Sequence, residues 1–213
     1  MNKNIADIRK EYQLQTLLET DIAANPFTQF GRWWDDAVKS EIDEVNAMTL
    51  ATASLTGLPA ARIVLLKSFT ERGFIFFTNY NSHKGKQLEQ NPHACLVFFW
   101  IELERQVRIT GTVEKVSAAE SDAYFISRPA GSRIGAWASP QSSVITSREA
   151  IEKNAEKYEK KFADTEITRP SHWGGYIVIP TLIEFWQGRP SRLHDRLQYS
   201  KLPDGWKIER LAP

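Results

Sequence analysis

The sequence predicts a mainly β fold, a closed or nearly closed barrel with flanking helices, from a single chain of 213 residues. Three observations carry that expectation. Beyond residue 46 the hydrophobic period shifts from helical to strand-like, in segments rich in Val, Ile, Phe, Thr and Tyr. The connections are short and turn-rich, as in Leu55-Thr-Gly-Leu-Pro59 and Thr70-Glu-Arg-Gly73. The order of elements also lacks the β-α-β rhythm of a parallel sheet.

Residues 3–20 read as a helix of mixed charge that Asn25-Pro26 stops. This gives an N-terminal helical arm over 1–25 ahead of a single domain over 26–213. A second helix is expected over 27–43, with Phe30, Trp33, Trp34, Ala37 and Val38 at core spacing. Strands follow at 48–54, 60–67, 73–79, 94–101, 106–116, 175–179, 183–187 and 192–199. Helices interrupt them at 82–90, stopped by Asn91-Pro92, and at 117–127, opened by a Ser117…Glu120 capping box and ended before Pro129. A further helix over 147–162 carries a solvated Glu/Lys face.

Apolar residues make up 42% of the chain, enough for a sizeable core, and the net charge is +1. No global field favours nucleic acid or an anionic membrane, so local basic clusters read as sites. The N-terminus is polar, no apolar run reaches membrane-spanning length, and the single cysteine, Cys95, lies in an apolar run. The chain therefore reads as cytoplasmic. His83, His93, His172 and His194 lack metal-ligand spacing, and no metal site is expected.

The segment from Glu184 to Arg196 carries the strongest chemical signal. Read as a strand, it sets Arg192, His194 and Arg196 in one row, two permanent cations flanking a group that titrates near neutrality. Such a row suits an anion, and Trp186 beside it suits a planar, phosphorylated ligand; a solvated edge strand accounts for the same residues. Arg62 and Lys67 close the two ends of an apolar run, with odd spacing that puts them on opposite faces of a regular strand. Lys84 near a helix start could hold a phosphate, and Gln106 suits the mixed edge of a heterocycle. Tyr124 and Arg128 share a helix face, and Gly131 lets a loop bring Ser132 back to them as a phosphate clamp. A helix end with its Arg near the terminal carbonyls is the plainer reading. Gln141 and Ser142 sit in a polar loop that can bind a ligand or cap a turn. Neither a nucleophile elbow nor a phosphate loop is present.

Taken together, Arg62 to Lys67, Leu103-Glu-Arg-Gln-Val107, Ser127-Arg-Pro129, Ile134-Gly-Ala-Trp137, Gln141-Ser-Ser143, Ile183 to Gly188, Arg192 to Arg196 and the ending Glu209-Arg-Leu-Ala-Pro213 closely resemble the pyridoxine/pyridoxamine 5′-phosphate oxidase family. The resemblance runs in order from about residue 5 to the C-terminus. It implies an FMN-binding split β-barrel that forms a homodimer, with FMN in a cleft between subunits. The implied reaction is oxidation of pyridoxine or pyridoxamine 5′-phosphate to pyridoxal 5′-phosphate with O2 reduced to H2O2, the last step of vitamin B6 cofactor synthesis and salvage. Hydride would pass from the substrate C4′ to flavin N5.

By matching position, the resemblance assigns FMN contacts to Arg62, Ile63, Val64, Leu65, Leu66 and Lys67, and to Phe77, Thr78, His83 and Lys84. Gln106, Gln141, Ser142, Trp186 and Arg196 complete that set. Lys67, Tyr124, Arg128 and Ser132 would hold the substrate phosphate, while Arg192, Leu193 and His194 would face the pyridine ring, Arg192 and His194 as catalytic residues. Arg196 would stabilise the negative charge of the reduced flavin. Arg9 and Tyr12 match a segment that folds over the site. One departure is His83, where the family usually has Arg. A split-barrel flavoprotein with another task is a rival that the second phosphate clamp argues against. A base-stacking nucleic-acid barrel is another, disfavoured by the near-zero net charge.

Overall fold

The structure, a computed structural model, describes residues 4–8 and 10–213. The strands are β1 (Ala47–Ala53), β2 (Pro59–Leu65), β3 (Ser68–Thr70), β4 (Gly73–Asn79), β5 (His93–Trp100), β6 (Arg105–Lys115), β7 (Trp173–Gln187), β8 (Asp195–Leu202) and β9 (Gly205–Arg210). They form one sheet in the order β2-β1-β5-β6-β7-β4-β3, and β8 and β9 continue from β7. The helices are α1 (Pro26–Lys39), α2 (His83–Gln90), α3 (Ala118–Ser127), α4 (Ala130–Ala138) and α5 (Arg148–Lys161). The chain divides into two compact units, one of Met1–Leu50, Cys95–Gly111 and Pro180–Pro213, the other of Ala51–Ala94 and Thr112–Ile179.

In the first unit, Asn25 caps α1 by accepting from the Phe27 and Thr28 amides, and Pro26 occupies the first turn, where its missing N–H costs nothing. Phe30, Trp33 and Ala37 are buried, whereas Val38 is half exposed. Phe30 packs edge-on against Phe98, and Trp33 against Phe185. The β7–β8 register pairs Ile183 with Tyr199 and Phe185 with Leu197, so alternate side chains enter this core.

The helix expected over 3–20 does not form: its ordered turn is Ile5–Asp7, and the rest of the described arm has no regular structure. Its backbone finds partners elsewhere, as any ordered backbone must. The buried carboxylate of Glu104 accepts from the Gln13 and Leu14 amides at 2.8 and 3.1 Å. Asp195 accepts from the Leu17 amide, and Arg210 donates to the Leu17 carbonyl. Helix α1 ends at Lys39, short of residue 43, because Glu41 and Glu44 adopt positive φ.

The strand expected over 192–199 starts only at Asp195. Pro190–Arg192 form a 3-10 turn in which Ser191 and Arg192 have φ of 56° and 61°, and the Leu193 amide donates to the Pro190 carbonyl. Arg192, His194 and Arg196 therefore do not share a strand row. The expected strands 175–179 and 183–187 are one, β7, which runs through Pro180, and β9 was not anticipated.

In the second unit, β4 pairs antiparallel with the first half of β7, Phe77 opposite Gly175 and Thr78 opposite Gly174. A Cβ at Gly175 would sit 2.8 Å from the Phe77 ring, so glycine lets that ring lie against the strand. Ile75, Val116 and Ile177 form a core cluster beneath Phe77 and Ile179. Ser117 and Glu120 close the capping box of α3 as its spacing predicts. Ser132, expected in a loop, lies in the first turn of α4, since Pro129 ends α3 and at once opens the next helix.

Candidate functional site

In the second unit, β2 ends at Leu65, so Leu66 and Lys67 fall outside the regular strand. Lys67 donates its amide to Ile75 O. That break cancels the opposite-face expectation, and Arg62 and Lys67 line the same cleft, of about 530 Å³. Leu66 instead turns into the core.

Phe77, Tyr124 and Trp173 form the aromatic wall of this cleft. Phe77 stacks on Tyr124 at 4.0 Å with planes 23° apart, and on Trp173 at 5.6 Å and 14°. The Arg128 guanidinium lies 4.6 Å from the Trp173 centroid, a cation–π contact that orients it. Its Nη1 is buried with no protein partner, and burial lowers its pKa. Lys67 Nζ lies 6.0 Å from the Tyr124 ring, and Ser132 completes this cluster.

A second cluster is built around Lys84, in the first turn of α2, which Ser82 caps. Lys84 Nζ donates to Gln141 Oε1 at 2.9 Å, Thr78 Oγ1 at 3.1 Å and Ser82 Oγ at 3.4 Å. Burial, with the Arg62 charge second, lowers its pKa to about 8. Arg62 Nη1 donates to Thr52 Oγ1 at 2.6 Å, and burial lowers its pKa too. The cleft thus carries Arg62, Lys67, Lys84 and Arg128 among its lining residues and no carboxylate. Like charges so arranged repel one another unless an anion neutralises them. An unpartnered buried guanidinium N–H, a flat aromatic wall and four cations fit a planar ligand carrying phosphate.

His83 and Ser142 of the expected set are exposed and do not line the cleft. Gln106, Trp186, Arg192, Leu193, His194 and Arg196 belong to the first unit. There, Tyr12, Arg189, Ser191, Arg192 and His194 line a cavity of about 730 Å³. Trp186 packs on His194 at 4.6 Å, and Tyr12 meets Trp186 edge-on at 5.8 Å. The Arg189 amide donates to His194 Nδ1 at 3.1 Å, which leaves Nε2 as the free ring nitrogen. Burial, then the Arg192 charge, lowers the His194 pKa, which favours the neutral ring, and a neutral ring that accepts at Nδ1 carries its proton on Nε2. Arg196 pairs with buried Glu184 at 2.8 Å, and Arg108 meets the other oxygen of that carboxylate at 2.5 Å. Its charge is already partly spent within the chain. Leu193 is exposed and Gln106 half-buried. Arg9 lies outside the described residues.

Trp173, Thr52, Gln87, Glu104 and Glu184 were missed in the sequence. A polar residue at the apolar phase of a strand or helix was the available signal for Thr52, Gln87 and Glu184; Trp173 had none.

Residues 34–162 match the family described as pyridoxamine 5′-phosphate oxidase, and residues 173–213 match the pyridoxine 5′-phosphate oxidase C-terminal dimerisation region. A pyridoxine/pyridoxamine 5′-phosphate oxidase of Trichormus variabilis is 59% identical over 214 residues, covering 100% of both chains. One of Ralstonia nicotianae is 60% identical over 211 residues, 99% of each. Among solved structures, PhzG from Burkholderia lata superposes with a TM-score of 0.89 at 29% identity, covering 96% of this chain and 100% of its own. With its fold, its cationic aromatic cleft and relatives matched end to end, the chain belongs to the pyridoxamine 5′-phosphate oxidase family.

Proposed function

We propose that the protein is an FMN-dependent oxidase that converts pyridoxine and pyridoxamine 5′-phosphates to pyridoxal 5′-phosphate. The alcohol substrate and O2 give the aldehyde and H2O2; the amine substrate also consumes water and releases ammonia. The observation that carries this reading is a cleft with four cations, no carboxylate and a stacked aromatic wall. Near-full-length relatives named for this activity support it.

In this reading Arg62 and Lys84, with Thr78 and Gln141, hold the cofactor phosphate. Ile63, Val64, Leu65 and Phe77 line the rest of that cleft, and the family resemblance adds Leu66, His83, Gln106, Ser142, Trp186 and Arg196 to the cofactor set. Lys67, Tyr124, Arg128 and Ser132 clamp the substrate phosphate, and this remote binding supplies orientation at the reacting carbon. The flavin, when bound, supplies the two-electron acceptor for the substrate C4′ and returns the electrons to O2. Arg192 packs on the pyridine ring beside Leu193. His194, held at Nδ1, positions the substrate or holds a proton at Nε2. The arm carrying Tyr12 covers that group as a lid. The protein acts as a homodimer with the cofactor at the subunit interface, a reading that the dimerisation region over 173–213 supports. A cytoplasmic setting agrees with the lone free Cys95 and with the absence of a membrane-length apolar helix among the described residues.

The test is an absorbance spectrum of the purified protein, then addition of pyridoxine 5′-phosphate without oxygen. Flavin bands that bleach and return in air are expected. Bands that stay unbleached would leave a flavoprotein with another substrate, and a colourless protein that takes up no FMN would end the reading.

A further inference from the structure

Two polar side chains occupy apolar positions behind the cleft. Strand β1 buries alternate residues, Met48, Leu50 and then Thr52. On α2 the buried positions are Gly85, Gln87 and Leu88. Thr52 and Gln87 are only 4% and 5% exposed, and burying a hydroxyl and an amide is costly unless they are bonded. They bond to each other and to one cation: the Thr52 hydroxyl donates to Gln87 Oε1 at 2.6 Å and accepts from Arg62 Nη1 at 2.6 Å.

We propose that Thr52 and Gln87 are positioning residues that aim the Arg62 guanidinium at the phosphate of the bound cofactor. This rests on the FMN reading of the cleft. The Gln87 carbonyl takes the only hydroxyl proton of Thr52, so the oxygen turns its lone pairs to Arg62. One N–H of the guanidinium fork is then fixed, which sets the orientation of the group at the cleft wall. Lys84 lies close enough for its charge to be felt by Arg62, and an untethered Arg62 would swing away from it. The tether is also neutral. Glu184 partly cancels the charge of Arg196, whereas the hydroxyl and amide of this tether add no negative charge.

The experiment titrates the full-length apoprotein with FMN and with riboflavin, following flavin fluorescence, for the parent chain and for Thr52→Val, Thr52→Ser and Gln87→Met. Riboflavin lacks the phosphate, so a positioning role and a merely structural role separate. Thr52→Val is expected to weaken FMN about tenfold, the scale of one hydrogen bond to a charged group, and to leave riboflavin within about twofold. Thr52→Ser restores FMN affinity, and Gln87→Met gives a smaller loss in the same direction. Unchanged FMN affinity in Thr52→Val, or equal loss of both flavins, overturns the proposal. If Thr52→Val fails to fold, by circular dichroism, Gln87→Met decides on the same contrast. A parent chain with no preference for FMN over riboflavin would sink the cofactor reading as well, and so marks that failure apart.

Discussion

Lys84 Nζ lies 2.9 Å from Gln141 Oε1, a contact that joins α2 to a loop residue 57 positions away and holds a half-buried cation with a neutral dipole. Thr78 and Ser82 add two more oxygens, neither of them charged. Burial, with the Arg62 charge second, lowers the Lys84 pKa to about 8, and these neutral oxygens bring no negative charge to offset that.

A pH dependence follows. The unfolded chain binds the Lys84 proton up to its ordinary value of 10.5, whereas the folded apoprotein releases it near 8. Between those values the unfolded state carries more protons, so this group makes the apoprotein more stable as pH rises through that window. Ligand binding runs the opposite way, because a phosphate favours charged Lys84. FMN affinity should fall as pH rises above about 8, and Lys84→Arg should flatten that fall. Fluorescence titration across pH 7–10 reads both, and a parent profile flat through that range would remove Lys84 from the phosphate site.

Arg128 should act on the substrate rather than the cofactor. Its Nη1 is buried without a partner, and the Trp173 face fixes the guanidinium plane. Arg128→Ala is expected to raise KM for pyridoxine 5′-phosphate at least about tenfold, the scale of a charge-assisted hydrogen bond, with FMN retained. An unchanged KM takes it out of the clamp.

Arg192 sits with φ of 61° in the turn before His194 and lines the cavity with Tyr12. Arg192→Ala should cut turnover far more than FMN content, read by steady-state kinetics and the flavin-to-protein absorbance ratio. Parallel loss of both would contradict a role at the substrate ring.

Glu104 is the anchor of the arm. Its carboxylate is buried, itself at φ 55°, and accepts from two consecutive arm amides. Glu104→Ala should cost about 1–3 kcal/mol by denaturant unfolding, the scale of buried donors left unpaired. Hydrogen exchange at the Gln13 and Leu14 amides should accelerate in step. Protection equal to that of the parent chain would mean that other contacts hold the arm.

The local signals in the sequence were reliable where one element settled the outcome. The Ser117…Glu120 box opened α3, and Phe30 with Trp33 turned inward, because caps and period act within a few residues; Asn25-Pro26, read as a stop, instead caps and opens α1. They misled where a distant partner competed. The 3–20 pattern has helical composition, yet its amides bond to Glu104, 91 residues from Gln13. Arg62 and Lys67 have opposite parity, yet one strand end brings them into one cleft.

By itself, the sequence determined the mainly β class, most strand and helix positions, and the supply of cations, aromatics and amides from which a phosphate site can be built. Only the tertiary structure decided which cations share a cleft, which, like Arg196, have a buried carboxylate beside them, and which, like Lys84, are held by dipoles alone. The physical reason is range. Side-chain type and period are encoded residue by residue, but burial and charge pairing depend on neighbours that the fold brings in from far along the chain.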